Sequence, residues 1–277
     1  MGRKIKIGAA VGVIVVFTFT AVLSLLLIKQ NAIEVTEGQE FFSSLTRGEE
    51  IITSEELRGR FENRNERLGQ NHRSKDSNEE SKVSERLVNI NFQNLIDNIP
   101  SLVGWIQMPG TAINYPIVQG SDNQFYLDHL PNGVRNPMGS IFLDYRDEFK
   151  NLMQTQGSTL TVYGHNMRSG NKFTRLNRLR DQTFFENHSN IIISTMYVDY
   201  ILRVFATYII NSQEEVPVRY FETETEFLIE IDAMLARSDI RSQIIPKFGD
   251  SIVYLVTCVD GNNLDLRRIV VGILEEV

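Results

Sequence analysis

Ser251-Ile-Val-Tyr-Leu-Val-Thr-Cys258 is an apolar run that ends on the only cysteine of a 277-residue chain. Ten residues later Arg268 opens a second apolar run, Ile269-Val-Val-Gly-Ile-Leu274. Upstream, Ser158-Thr-Leu-Thr-Val-Tyr-Gly-His165 ends on a histidine. Short runs rich in Val, Ile, Leu and Tyr, bounded by turn residues, read as strands. A thiol, an imidazole and a guanidinium, each at the end of a predicted strand, suit nucleophilic acyl transfer.

Working outward, the same pattern recurs. Val103–Met108, Ala112–Val118, Ser140–Asp144, Leu160–Tyr163, Ile191–Thr195, Tyr200–Asn211, Ile252–Cys258 and Arg268–Leu274 are apolar or alternating, and Pro-Gly, Asn-Gly and Gly-Ser punctuate them. Eight predicted strands in one domain suggest a closed or nearly closed β-barrel, so the fold class is mostly β. Helical spacing occurs in three places. Phe92, Leu95, Ile96 and Ile99 precede Pro100, which stops a helix. Phe173–Arg180 with Phe184 and Phe185 forms a second stretch. Thr223–Ser238 forms a third, with Phe227, Ile231, Met234 and Leu235 on one face.

Ahead of this domain, Ile7–Ile28 carries no charge. As a helix it would extend roughly 33 Å, enough for a hydrocarbon core of about 30 Å. Arg3, Lys4 and Lys6 come before it, which keeps residues 1–6 in the cytoplasm and sends the rest outside. A cleaved signal peptide would have a shorter apolar region and a small-x-small site after it. Leu25-Leu-Leu-Ile28 is followed by Lys29-Gln-Asn-Ala-Ile, so residues 7–28 are read as a retained anchor in the lipid bilayer. Residues 29–86 are read as an extracytoplasmic polar stalk. Asn71–Glu80 has no apolar residue, and such a stretch cannot bury enough surface to offset chain entropy. Residues 87–277 form the folded domain. A net charge of −7 argues against nucleic acid as a partner, since neutralising phosphates needs a basic surface. One cysteine and four scattered histidines show no metal-ligand spacing, and no cofactor is expected.

The chemistry of the three residues is complementary. A cysteine acts as thiolate, and a free thiol with a pKa of about 8.5 is mostly protonated at neutral pH. An imidazole can take that proton and later return it to a departing amine. The tetrahedral intermediate carries an oxyanion, which a permanently charged, planar guanidinium can hold. Singly, each residue has a bland explanation: a small buried hydrophobe, a loop histidine, an edge charge. Their joint placement at strand ends, in an exported domain, outweighs these.

Several motifs carry a family likeness. Tyr163-Gly-His165-Asn-Met167, Val256-Thr-Cys258 and Arg268-Ile-Val-Val271 resemble the signatures of sortases, the cysteine transpeptidases of Gram-positive envelopes. Val103-Gly-Trp-Ile-Gln-Met-Pro-Gly-Thr111, Tyr115-Pro-Ile-Val-Gln-Gly120, Asp122-Asn-Gln-Phe-Tyr-Leu127 and Gly139-Ser-Ile-Phe-Leu-Asp-Tyr145 are similar to class B members. The likeness covers about residues 87–277. It implies an eight-stranded sortase-type β-barrel with an N-terminal helical segment and a long helix before the cysteine strand. It implies that Cys258 attacks a threonine carbonyl in the C-terminal sorting motif of a secreted protein. A peptidoglycan precursor or cross-bridge amine then resolves the thioester. By the same likeness His165 is the acid/base and Arg268 the oxyanion or substrate clamp, while Asn123, Leu127 and Thr257 line the peptide groove. Class B members often have serine where this chain has Val256, a departure that bears on a hydrogen bond to substrate and not on the nucleophile. Arg267 and Arg268 are adjacent, so strand alternation turns them to opposite faces and only one can reach Cys258. The motif position, directly before Ile-Val-Val, selects Arg268.

Two other readings remain. A pilin-polymerising sortase would usually carry an N-terminal lid motif and often a second, C-terminal membrane segment; this chain runs to Val277, just past the last predicted strand, with no such segment. A non-catalytic anchored barrel that binds envelope peptides would have no need of the Cys/His/Arg set.

Overall fold

The computed structural model describes residues 2–46, 53, 55–57, 59, 86–88, 90–149, 157–214, 220–259 and 265–277. The chain divides into two compact units, residues 1–45 and 46–277. The first is a helix, α1 (Gly2–Leu45), which extends into the stretch read from sequence as a stalk. Among the described residues no helix is long and apolar enough to cross a membrane. The side chains of residues 2–19 and 21, which hold most of the expected anchor Ile7–Ile28, lie outside the described residues. So does the polar centre of the stalk, Asn71–Glu80.

In the second unit eight strands close into a barrel: β1 (Leu102–Gln107), β2 (Asn114–Val118), β3 (Ile141–Leu143), β4 (Thr159–Tyr163), β5 (Asn190–Ser194), β6 (Asp199–Asn211), β7 (Ile252–Cys258) and β8 (Leu266–Glu276). Their order around the barrel is β1-β2-β3-β4-β7-β8-β6-β5, closed by the pairing of β5 with β1. β2/β3 and β4/β7 are parallel and the remaining pairs antiparallel. Every predicted strand is found within two residues of its expected ends. Closure pairs every strand on both sides, so the barrel has no free sheet edge.

β7 lies between β4 and β8, and both its faces are covered. That is why it reads as a continuous apolar run rather than an alternating one. One face meets helix α4 (Glu224–Arg237), whose Phe227, Ile231 and Met234 pack on Tyr254 and Val256 of β7 and Ile269 and Val271 of β8. Thr223 caps this helix by accepting the Glu226 N–H, worth about 1 kcal/mol. Phe227 is fully buried, so Phe227→Ala would cost about 3–5 kcal/mol.

The remaining helices are short. α2 (Phe92–Ile96) is capped by Asn91 and precedes Pro100, as its spacing predicted. Phe173–Arg180 forms a 3₁₀ helix, and its buried residues, Phe173, Leu176 and Leu179, recur at the three-residue spacing that such a helix requires. α3 (Gln182–His188) follows, capped by Asp181.

Candidate active site

The β4–β7 and β7–β8 ladders build the site. β4 pairs with β7 in parallel, with Tyr163 beside Val256. Gly164 extends this ladder by donating its N–H to the Val256 carbonyl at 3.1 Å. Two residues past the last pair, the chain at His165 is level with Cys258. On the other side, Val256 opposes Ile269, Thr257 opposes Arg268 and Cys258 opposes Arg267. Directly opposed residues project from the same face of a sheet. Cys258 and Arg267 therefore share the face of Val256 and Ile269, on which α4 packs. Cys258 is partly exposed at the strand end, as a reactive thiol requires.

The register sets Arg268 differently from the expected facing. Arg268 opposes Thr257, is only 1% exposed, and turns to the other face. Its Nη1 donates to the Asp239 carboxylate and, at 3.4 Å, to Thr207 Oγ1. The arginine across from the thiol is Arg267, half-buried. The motif position counted residues to the apolar run; the hairpin register decides the facing, and it differs by one residue.

Thr257 lies on the same face as Arg268. It is 2% exposed on the face of Arg268, away from Cys258, and its Oγ1 has no hydrogen-bond partner among the described residues. Asn123 is held rather than free. Its Nδ2 donates to Asp144 Oδ2 at 2.8 Å, and its Oδ1 accepts the Tyr145 N–H at 3.0 Å. Leu127 is 44% exposed and so is not core. His72 lies outside the described residues.

His165 is oriented by backbone. Its Nε2–H donates to the Leu127 carbonyl at 2.6 Å, because a carbonyl can only accept. In a neutral ring that leaves Nδ1 as the basic nitrogen. The His165 carbonyl accepts the Phe173 N–H at 2.9 Å. Gly139, with φ of 54°, lies against this arrangement: a β-carbon there would meet the Leu127 carbonyl at 2.5 Å and His165 Cδ2 at 3.0 Å. Only a glycine suits that backbone angle and that close approach.

Sequence reasoning missed two asparagines. Asn177 Nδ2 donates to the Cys258 carbonyl at 3.1 Å, and Asn166 Nδ2 donates to the Val259 carbonyl at 2.9 Å. Asn166 directly follows His165 in the motif already singled out; Asn177 had no signal.

A second polar cluster adjoins the first. Tyr163 donates its hydroxyl to Asp144 Oδ2 at 3.2 Å, and Arg146 reaches both Asp144 oxygens at 2.9 Å. Burial alone would raise the Asp144 carboxyl. Hydrogen bonds from the Arg146 side chain and backbone and from Asn123 outweigh it, holding the group well below the usual carboxylate range. Burial, then the Asp144 charge, pushes the Tyr163 phenol upward. This cluster fixes the end of β3 beside β4. Among the described residues no group of His, Cys, Asp and Glu could hold a metal ion.

Comparisons with known proteins converge. The family model of the sortase domain matches residues 106–275. Sortase B of Staphylococcus aureus is 32% identical over 180 residues, which cover 65% of this chain and 72% of that protein. Sortase B of Listeria monocytogenes is 30% identical over 174 residues, covering 61% and 68% respectively. Among solved structures, a substrate complex of Staphylococcus aureus sortase B aligns with a TM-score of 0.62 at 30% identity, covering 67% of this chain and 85% of that one. Sortase B from Bacillus anthracis, in complex with AAEK2, aligns with a TM-score of 0.61 at 30% identity, covering 78% and 97%.

Proposed function

This chain belongs to the sortase family of cysteine transpeptidases, in its class B branch, and on that premise we propose that it joins secreted proteins to the cell wall from the outer side of a membrane. Cys258 is the nucleophile. Its thiolate attacks the carbonyl carbon of a threonine in a C-terminal sorting motif and forms the C–S bond of a tetrahedral intermediate. Arg267 holds the oxyanion at two points. His165 takes the thiol proton and gives it to the departing amine as the C–N bond breaks, leaving a thioester. An amine from a peptidoglycan precursor or cross-bridge then attacks the thioester, loses its proton to His165, and expels the thiol. The apolar stretch Ile7–Ile28, with basic residues before it, anchors the enzyme in the bilayer.

The observation that carries this reading is the register that sets Cys258 across from Arg267 and level with His165. The motif position supports a second reading for the arginine, in which Arg268 serves. That reading requires β8 to slip by one residue against β7 and Arg268 to leave Asp239.

The test is incubation of the full chain with a library of peptides and a peptide amine, with products identified by mass. Cleavage at threonine, diversion of the acyl product to the added amine, and loss of both in Cys258→Ala are expected. Turnover by a folded Cys258→Ala variant would sink the mechanism.

A further inference from the structure

Hydrogen bonds in a parallel ladder recur every second residue. Since the Gly164 N–H meets the Val256 carbonyl, the next donor on that side would be the Asn166 N–H, meeting the Cys258 carbonyl. β4 has already ended at Tyr163, and the chain turns back on itself through a bridge between Asn166 and Lys172. The carbonyl of the nucleophile thus loses its strand partner at the point where its position matters most.

Two side chains occupy that gap. Asn177, from the 3₁₀ helix, donates to the Cys258 carbonyl. Asn166, from the loop that carries His165, donates to the next carbonyl, Val259. Asn177 Oδ1 is buried without a hydrogen-bond partner among the described residues. A buried acceptor left unmatched destabilises the fold. The amide is held there by its other end, which rests on the backbone of the thiol-bearing residue.

We propose that Asn177 and Asn166 are positioning residues for acyl transfer. They stand in for the missing continuation of β4 and tie the end of β7 to the His165 loop, so that the thiol and the imidazole keep one relative placement. The inference rests on the reading of Cys258 as nucleophile and His165 as acid/base. Neither asparagine touches the reacting atoms; both act through the backbone at Cys258 and Val259.

The experiment uses the full chain with Asn177→Ala, Asn177→Asp and Asn166→Ala. It measures kcat and KM for peptide cleavage, the pH profile of Cys258 alkylation by iodoacetamide, and thermal melting. A misplacement of about 1 Å can cost on the order of 100-fold. We expect kcat to fall about 10- to 100-fold with KM within about twofold, and the alkylation profile to shift along the pH axis. Asn177→Asp, which sets an anionic acceptor against a carbonyl, is expected to lose more than Asn177→Ala. Wild-type kcat and an unchanged alkylation profile in folded alanine variants overturn the proposal. Should Asn177→Ala not fold, Asn166→Ala at its half-buried site decides alone by the same two readouts. Cys258→Ala runs in the same assay: if it still cleaves, the reading of the nucleophile fails, whereas wild-type behaviour of the asparagine variants beside a dead Cys258→Ala fails only this inference.

Discussion

Cys258 and Arg267 oppose one another at the turn end of the β7–β8 hairpin. The next pair, Val259 and Leu266, exchanges a backbone bond of 3.2 Å from the Val259 N–H to the Leu266 carbonyl. Antiparallel pairs alternate, so Cys258 and Arg267 form a non-hydrogen-bonded pair, with α-carbons about 4.5 Å apart and side chains at their closest. Residues of such a pair project from one face of the sheet, so the thiol and the Arg267 guanidinium stand on the same side.

The two adjacent arginines should therefore separate by phenotype. Arg267→Lys keeps the charge and loses the planar fork, and turnover should fall about 100- to 1000-fold with little change in melting. Arg268→Met should instead lower stability, because it removes the buried partner of Asp239. The cost should be about 3 kcal/mol or less, since water can reach the carboxylate. Peptide cleavage rates beside urea midpoints measure both. The reverse pattern would place Arg268 at the thiol and set β8 one residue out of the register described.

Gly139→Ala tests the support behind His165. The new methyl would press on the Leu127 carbonyl that holds the imidazole. A 10- to 100-fold loss of kcat is expected, on the order of that for small misplacements of catalytic groups. Gly133→Ala is the control. It also has positive φ, 82°, but open space around it, so it should show only the backbone strain of about 1–2 kcal/mol. Equal kcat in the two variants would remove Gly139 from any role at the site.

Asp144→Asn should destabilise the domain at neutral pH and much less in acid. The folded carboxyl titrates below its unfolded value of about 4, so its stabilising effect is fully present above that value. It is lost as pH falls from there through the lower folded value. Urea midpoints of wild type and variant should differ at pH 7 and converge as pH is lowered below about 4. A gap that stays constant with pH would mean that the side-chain amide fails for steric reasons.

If the proposed anchor and site hold, removing residues 1–30 should release the chain from membranes while leaving peptide cleavage intact, because Cys258, His165 and Arg267 belong to the 46–277 unit. Fractionation of both forms with cleavage assays is the measurement. A full-length chain recovered from medium with its N-terminus after Ile28 would show processing instead of anchoring.

Much of this molecule was legible in the amino-acid order because its signals are local. Strand lengths, the Phe227, Ile231 and Met234 face of α4, and the turn residues between strands depend on near neighbours in sequence, and each reappears in the barrel. The thiol was legible because it is the lone cysteine at the end of a β-run, and the histidine because it ends the neighbouring run. Facing was not. Whether Arg267 or Arg268 meets Cys258 depends on how many residues the hairpin spends in its turn, and a shift of one exchanges the faces. The same parity decides which way Thr257 faces. The asparagines at Cys258 and Val259 were hidden for a related reason: the need for them arises only when β4 ends short of β7, an event of two strands that lie far apart in sequence and become neighbours only in the closed sheet.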